Sequence, residues 1–445
     1  MLFGAKLFKK YEINERFLRN ISYFCIVKRN IWLFKRFLIC VSVLLADISS
    51  AYGTENADSY SSSLDNIEVS LLTCQPHDEV YSLYGHTAIR VKNNNTGADW
   101  AVNYGVFDFN TDYFVVKFVF GITDYMMGIF PFDDFLREYR FFGSGVFQQR
   151  INLSPSEKET FMTALAENAR PENLVYRYNY YYNNCTTRAR DIIYGALEGV
   201  VSKPEECGLT FRELIHSKNE DHRWARVGND MLLGVGSDKM ASPEEAEFLP
   251  EYLMKDFETA RVVYADGTQK ALVDSAFWVL MPGEPWHPAG GVDMPLTPSQ
   301  CAWIVLAVIL TYTLFSLPLM LQGSERFLKT VRIIDYAICC LYALAGLILF
   351  AMLFSQHPTV RVNLQILMFC PLWFFTAWPT ARSSKGWIVM AVALAAFFLG
   401  NFVQSYAEGA NVLALALSLI IAKNIVQKFA QSKKKQYFCR VFTSK

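Results

Sequence analysis

The sequence predicts an α+β domain followed by an all-α transmembrane helical domain. Three strand-like runs lie within 67–107, and a helix-start signal follows at Ser154. After Pro298 the chain contains five apolar segments. The composition agrees, because 52% of the 445 residues are apolar and only 19% are charged, which is typical of a membrane protein. A net charge of zero argues against a strongly basic nucleic-acid-binding protein.

The first 51 residues are predicted to be a signal peptide or a retained N-terminal leader. Basic residues, among them Lys35 and Arg36, precede an apolar run over 37–46, and small residues follow at 49–51. This order is typical of secretory signal peptides. Residues 52–66 are mostly polar and are expected to form a flexible linker.

The α+β domain is predicted to occupy residues 67–298. Asparagines and a glycine at 93–97 predict a hairpin turn between its second and third strands. The Ser-Pro-Ser-Glu run at 154–157 predicts a capped helix start. A Tyr-rich strand over 175–182 leads directly into Cys185 and a second helix. The first three strands are predicted over 67–72, 82–91 and 100–107.

The membrane domain is predicted to occupy residues 299–428 with about five transmembrane helices. Lys and Arg are abundant in the stretches after the first, third and fifth apolar segments, whereas the two intervening loops hold one Arg and no Lys. The positive-inside rule therefore predicts an odd number of spans, a folded domain on the outer face, and a basic cytoplasmic tail at 429–445. The five segments are 301–321, 336–354, 364–378, 387–403 and 412–422.

Cys185 is the candidate nucleophile. It lies between a predicted strand and the N-terminus of a predicted helix, where unpaired backbone N–H groups and the helix dipole stabilise a thiolate. The same N–H groups are expected to hold the oxyanion of a tetrahedral intermediate. Thr186 and Thr187 are expected to help cap the turn, and Asn184 and Arg188 are candidates for a supporting or substrate-binding role. The alternative is a buried structural thiol.

His86 is the candidate general base. The period of two in a strand places it on one face with Tyr84, and imidazole is the usual base for a cysteine nucleophile. A third group should fix the imidazole tautomer. Asn103 is expected to do so, because the hairpin brings it opposite residue 86 or 87. A register shifted by one would place Tyr104 or Tyr84 there instead.

The cysteines form no clear disulfide framework. Of ten, only Cys74, Cys185 and Cys207 lie in the part expected to fold outside the membrane, and three is an odd number. Whether Cys74 and Cys207 are bridged stays open. A zinc site built on Cys74 and His77 is a weak alternative, because no second close pair of ligands is present. No metal and no cofactor is therefore predicted.

Three motifs carry a family resemblance. They are Tyr-Ser-Leu-Tyr-Gly-His-Thr-Ala-Ile-Arg at 81–90, Asn-Tyr-Gly-Val-Phe-Asp-Phe at 103–109, and Asn-Asn-Cys-Thr-Thr-Arg at 183–188. Together they resemble the Lnb N-terminal periplasmic domain, named for the bacterial lipoprotein N-acyltransferase Lnb. His357-Pro358 and Asn363-Leu364 are similar to the family's membrane part, so the resemblance covers about residues 67–420.

The resemblance implies a permuted papain-like fold, in which the strand with His86 precedes the helix with Cys185. It implies transfer of an acyl chain from the lipid of a diacylglyceryl lipoprotein to its N-terminal amine, which gives a lyso-form lipoprotein. The implied partners are such lipoproteins and membrane lipid, at the periplasmic face of the bacterial inner membrane. The loop with His357 and Asn363 would line the entry.

Two other functions stay open at this point. The same Cys–His pair would suit a cell-wall peptidase or amidase, although such an enzyme needs no five-span anchor, or a lipid hydrolase. In the third hypothesis the protein is a non-catalytic membrane assembly factor, and Cys185 is structural.

Overall fold

The computed structural model describes residues 64–77, 79–107, 113–203, 206–284, 294–322, 325–377 and 385–443. The predicted leader and most of the predicted linker lie outside these residues. The strands are β1 Ile67–Cys74, β2 His86–Asn93, β3 Asp99–Val106, β4 Asp124–Pro131, β5 Val146–Ile151, β6 Val175–Arg177, β7 Val200–Val201, β8 Arg261–Val263, β9 Gln269–Ala271 and β10 Val273–Leu280. The helices are α1 Phe114–Val119, α2 Phe132–Phe142, α3 Pro155–Asn168, α4 Cys185–Ala196, α5 Phe211–His216, α6 Arg223–Leu232, α7 Pro243–Ala246, α8 Pro250–Thr259, α9 Pro298–Gln322, α10 Glu325–Met352, α11 Trp373–Thr376, α12 Lys385–Gly400 and α13 Ala410–Thr443.

The chain divides into two units. An α+β part followed by a helical part is the predicted fold class, which is confirmed. One difference is that residues 208–241 belong to the helical unit, although they lie within the predicted 67–298 domain. The α+β unit takes its described residues from Met1–Val115, Thr123–Cys207 and Ser242–Gly291, and the helical unit from Val116–Ile122, Gly208–Ala241 and Val292–Lys445.

A seven-stranded antiparallel sheet is the frame of the α+β unit, in the order β10-β5-β1-β2-β3-β4-β6. One face packs on α3, α4 and α8 in a core that includes Leu71 and Ile89. The other face packs on α2 in a core that includes Leu72 and Ala88. Because both faces are covered, the adjacent residues Ala88 and Ile89 are both fully buried.

The predicted turn and cap signals are present in the α+β unit. β2 and β3 form the expected hairpin, with Gly97 at φ +72° in the left-handed region. Ser154 accepts a hydrogen bond from the amide of Glu157, whose side chain accepts one from the amide of Ser154, so α3 begins with a capping box. Folding begins earlier than predicted, because Leu64, within the expected linker, is 7% exposed and packs into the core.

The helical unit contains three helices that are long and apolar enough to cross a membrane, counted over the described residues: α9, α10 and the part of α13 over Ala410–Ser432. α12 is apolar but shorter. The third predicted segment, 364–378, forms a 3-10 turn over Leu364–Leu367 and the four-residue α11 instead of one helix. Pro371 lies between them, and proline cannot donate to a helical ladder. α13 also continues to Thr443, through most of the predicted tail.

A buried ion pair joins the three long helices. Lys423 Nζ lies 2.7 Å from Asp335 Oδ1 and donates to Ser316 Oγ at 3.1 Å. Asp335 also accepts from Asn424 Nδ2 at 2.7 Å and from the Tyr312 hydroxyl at 2.8 Å. Lys423 and Asp335 are 2% and 1% exposed. Because each charge is paired and hydrogen-bonded, removal of one partner would leave the other uncompensated in an apolar bundle.

Residues 208–241 bind the loop after α10 through the backbone. The amides of Gly234 and Val235 donate to the carbonyls of Thr359 and Val362, at 2.9 and 2.8 Å. A side chain at 234 would collide with the carbonyl of Val362, so this contact requires glycine. The segment is therefore joined to the loop after α10 within the helical unit.

Candidate active site

Cys185 is the first residue of α4, and the preceding residue fixes the start of that helix. Asn184 Oδ1 accepts from the amides of Thr186 and Thr187, at 2.8 and 2.9 Å. The Thr187 hydroxyl accepts from the Asn184 amide at 2.8 Å, which completes a capping box. Asn184 Nδ2 donates to two backbone carbonyls, both at 2.9 Å. Asn184 thus positions the nucleophile and has little capacity left for substrate.

This cap changes the expected oxyanion site. The sequence indicated that the amides at the helix start would be available, but Asn184 occupies those of Thr186 and Thr187. The cap leaves the amide of Cys185 itself. The Thr186 hydroxyl lies 3.8 Å from Cys185 Sγ and accepts a hydrogen bond from Thr87 at 3.2 Å, so it contacts the thiol directly.

His86 is the first residue of β2. The strand starts later than the predicted residue 82, because Val80–Ser82 form a 3-10 turn and Gly85 has φ +73°. A Cβ at 85 would lie 2.8 Å from the carbonyl oxygen of Cys74, so glycine is required there. The His86 imidazole lies beside Cys185, and each group shifts the pKa of the other. The turn thus places the imidazole of His86 beside Cys185.

Asn103 holds the other side of the imidazole. His86 Nε2 lies 2.7 Å from Asn103 Oδ1. An amide oxygen only accepts, so Nε2 carries the hydrogen and Nδ1 is left for the thiol. The register differs from the expected one, since extension of the pair Ile89↔Val102 places Asn103 opposite Ala88. His86 and Asn103 are therefore diagonal neighbours on one face, which is within hydrogen-bonding reach.

Gly105 makes room for the pair, and the sequence analysis gave it no role. It lies at an irregularity in the pairing of β3 with β4 and has φ +122°. A Cβ there would lie 3.6 Å from both Cys185 Cβ and His86 Cε1. A longer side chain would therefore project onto the reacting groups. Glycine inside a strand often marks a bulge or a close approach, and that signal was available in the sequence.

Cys185 and His86 shift each other's pKa. Burial raises the pKa of Cys185, but the charge and hydrogen bond of His86, with the Thr87 amide and the Thr186 hydroxyl, lower it from 9.0 to about 7. Burial lowers the pKa of His86, but the Cys185 thiolate and the hydrogen bonds to Cys185 and Asn103 raise it from 6.5 to about 9. A thiolate–imidazolium pair is therefore favoured between these two values.

The two tyrosines considered as substitutes for Asn103 lie elsewhere. Tyr104 is 1% exposed and belongs to the core on the α4 side of the sheet. Tyr84 lies in the turn before β2, where its ring is edge-on to that of Tyr180 at 5.4 Å. Neither takes the place of Asn103 beside the imidazole.

Arg188 follows Cys185 by one turn of α4 and is partly exposed. Its Nε donates to Asn183 Oδ1 at 2.8 Å, and its guanidinium lies 4.1 Å from the ring centre of Tyr176. In the described part of the chain, no carboxylate forms an ion pair with it. The terminal nitrogens of the guanidinium can therefore contact an anionic or carbonyl group of a substrate.

His357 and Asn363 lie in the helical unit. Asn363 is 5% exposed, caps the turn at Leu364–Leu367, and donates to the carbonyl of Met231 at 2.9 Å. It also accepts from Gln404 Nε2 at 3.0 Å, so its contacts are structural, in contrast to the expected entry-lining role. His357 is partly exposed and packs against Gly121.

Two further groups near His86 were missed by the sequence analysis. Glu138 on α2 interacts electrostatically with the imidazole; burial raises the pKa of its carboxyl, and the charge of His86 opposes this. Cys74 is the direct cross-strand partner of His86, and burial raises the pKa of its thiol. The two thiols therefore differ, because only that of Cys185 is activated. No local signal places α2 beside β2.

The cysteines and histidines form no metal site in the described residues, where no three potential ligands are placed to hold an ion. Cys74 and Cys207 are both free, so no disulfide joins them. The ring of His77, considered as a zinc ligand, instead stacks on that of Phe142 with 3.8 Å between ring centres.

Comparison with known protein families gives two matches. The model of the Lnb N-terminal periplasmic domain matches residues 54–216, which contain Cys185, His86 and Asn103. The model of the Lnb transmembrane domain matches residues 291–434, which contain all three helices of spanning length found above. Comparison with curated proteins and with solved structures gave no match.

Proposed function

Because the chain belongs to the Lnb family, we propose that it is a membrane-bound cysteine acyltransferase that converts diacylglyceryl lipoproteins to the lyso-form. The family domains and the apolar helices make it a membrane-anchored protein with a periplasmic domain. We place it in the bacterial inner membrane as a multi-pass protein. The enzyme uses no metal or other cofactor in this proposal, since a thiol, an imidazole and an amide suffice for acyl transfer.

One observation carries the proposal, namely the arrangement of Cys185, His86 and Asn103. A thiol at a helix start, an imidazole beside it, and an amide oxygen 2.7 Å from one ring nitrogen form a nucleophile, a base and an orienting group. A structural thiol would have no need of a lowered pKa. The thiol of Cys74, at the end of β1, differs because burial raises its pKa.

In the first half-reaction the Cys185 thiolate attacks the carbonyl carbon of an acyl ester on the lipoprotein's glyceryl group. The amide of Cys185 is our candidate donor to the resulting oxyanion. The C–O bond breaks, and the glyceryl oxygen leaves with the proton that His86 carries on Nδ1. The acyl chain is then bound to Cys185 as a thioester.

In the second half-reaction the neutral N-terminal amine of a lipoprotein attacks the thioester carbonyl. His86 Nδ1 accepts the proton that the amine nitrogen releases, and the C–S bond breaks. The products are an N-acylated lipoprotein and the restored thiolate–imidazolium pair. Through both steps Asn103 keeps the hydrogen on Nε2 and so keeps Nδ1 directed at the reacting atoms. Arg188 is our candidate for binding a polar group of the lipoprotein.

Mass spectrometry of lipoprotein N-termini tests the proposal. The full chain is expressed in bacteria that lack other lipoprotein N-acylating activity, and the host lipoproteins are digested and analysed. Wild type should yield N-acyl, monoacylglyceryl peptides, and Cys185→Ala should leave diacylglyceryl peptides with a free amine. Cys207→Ala is the matched control, because Cys207 is another free, partly exposed cysteine.

The same experiment separates the other functions. Free fatty acid with lysolipid and no N-acylation would indicate a hydrolase. Altered cell-wall peptides with unchanged lipoproteins would indicate a peptidase or amidase. Lipoproteins and cell wall that are identical in wild type and Cys185→Ala would indicate a non-catalytic protein.

A further inference from the structure

The α1 segment, residues 113–122, exposes apolar side chains on more than one side. Lys117 is its only charged residue. Tyr113 is 79% exposed, Val116 50% and Phe118 42%. Positions 116 and 118 are about 200° apart around a helix, so apolar surface is exposed on two sides of it. Such a surface on a short helix is typical of a site that is covered by another apolar phase.

The end of this segment is bound to the end of α10. The amide of Gln356 donates to the carbonyl of Phe120 at 2.9 Å. Gly121 has φ +66°, and a Cβ there would lie 2.9 Å from the backbone nitrogen of His357, so the contact requires glycine. Gln356 follows the last residue of α10, Met352, by four positions. Four residues extend over at most about 14 Å, so the segment ends near the end of a spanning helix.

The exposed apolar surface of α10 continues past the last residue of the helix. Leu353 and Phe354, just after α10, are 39% and 66% exposed. Residues 113–122 fall within the part matched by the periplasmic domain model, so the end of α10 that they bind is the periplasmic end. The exposed apolar surface of the α1 segment therefore lies close to the exposed apolar surface at the end of α10.

We propose that the α1 segment inserts into the periplasmic leaflet of the membrane at the level of the lipid head groups. The occupant of its apolar surface is the lipid bilayer, because the segment adjoins a helix end that is itself in lipid. Tyr113 and Lys117 suit this depth, since an amphipathic ring and a long charged side chain both favour the interface.

The inference deepens the proposed function. It rests on the membrane location that the proposed function also assumes. The α1 segment joins β3, which carries Asn103, to β4. Its insertion ties this connection to the membrane surface, where the acyl esters of a diacylglyceryl lipoprotein lie.

Photocrosslinking tests the insertion without use of the enzymatic activity. p-Benzoylphenylalanine replaces Val116 or Phe118 in the full chain, which is reconstituted in phosphatidylethanolamine–phosphatidylglycerol vesicles and irradiated. The control replaces Val200, which is 75% exposed and lies in the α+β unit. Lipid adducts at 116 and 118, absent at 200, are the expected result. Adducts no more abundant than at 200, or adducts to a second copy of the chain, would overturn the inference.

A variant with two added charges tests whether the α1 segment helps the enzyme to reach its substrate. Val116→Asp with Phe118→Asp should raise the KM for a lipoprotein in vesicles and leave the rate of Cys185 alkylation by iodoacetamide unchanged. The second measurement shows that the site is folded. An unchanged KM would overturn the role in access. Failure of the proposed function is distinguishable, since a protein without transferase activity would still form the lipid adducts.

Discussion

Replacement of His86 by Gln removes the imidazolium that stabilises the Cys185 thiolate. In the wild-type protein the pKa of Cys185 is about 7, against an ordinary 9.0. Burial raises this pKa, and the charge of His86 is the largest influence that lowers it. Without it the pKa should return to 9 or higher. A rise of two pH units corresponds to about 2.7 kcal/mol of lost thiolate stabilisation.

The expected change in reactivity follows from the thiolate fraction. At pH 7 the fraction falls from about one half to about one per cent, so alkylation by iodoacetamide should slow by about fiftyfold. The direction of the pH dependence follows from the lowered pKa of Cys185. In the wild type, the reactivity of Cys185 is lost as the pH falls through about 7. In His86→Gln, the reactivity should already be lost below about pH 9.

The assay measures alkylation of Cys185 in the full chain in detergent between pH 5 and 10, with the Cys185 peptide quantified by mass spectrometry. Cys207 is an internal reference, because it is a free and partly exposed thiol in the same sample. Its labelling should be the same in wild type and His86→Gln. Superimposable pH profiles for Cys185 in the two proteins would refute the assignment of His86 as its partner.

Three further perturbations follow from the contacts described above. Asn103→Ala should lower kcat on a lipopeptide by about ten- to a hundredfold with little change in KM, because the Asn103 side chain orients the base and does not itself react. A large rise in KM alone would contradict this role. Asn184→Ala should lower the free energy of unfolding by about 1–2 kcal/mol through loss of the cap and also slow alkylation of the nucleophile, whereas Ser154→Ala, the cap of α3, should cost stability only. Lys423→Met should destabilise the helical unit by about 3–5 kcal/mol, because it leaves the carboxylate of Asp335 buried without its partner. Addition of Asp335→Asn to this variant should recover most of the lost thermal stability. No recovery would indicate that Lys423 and Asp335 are not coupled.

Local signals in the sequence predicted the elements that carry the site. The asparagine-rich turn at 93–97 and the Ser154 cap are determined by neighbouring residues, and both are present as expected. The partner of His86 could be proposed because a tight hairpin leaves few candidates. The register between β2 and β3 could not be predicted, because it depends on the exact length and type of the turn that joins them.

Long-range packing accounts for what the sequence analysis missed. Glu138 comes near the imidazole because α2 covers one face of the sheet, and no pattern within α2 indicates that partner. Asn363 is recognisable as a polar residue of an outer loop, but its bonds to Met231 and Gln404 join segments far apart in the chain. The apolar content of 364–378 resembles that of a span, yet Pro371 and the buried Gln365 divide it into short turns.

The most direct test of the account is to trap the acyl chain on Cys185. The purified full chain is incubated in vesicles with a synthetic diacylglyceryl lipopeptide whose amine is blocked, and its mass is measured after quenching in acid. The account predicts a mass increase of one acyl chain, removable by neutral hydroxylamine and located on the Cys185 peptide, with little of it in His86→Gln. A protein of unchanged mass, or an acyl group on another residue, would contradict it.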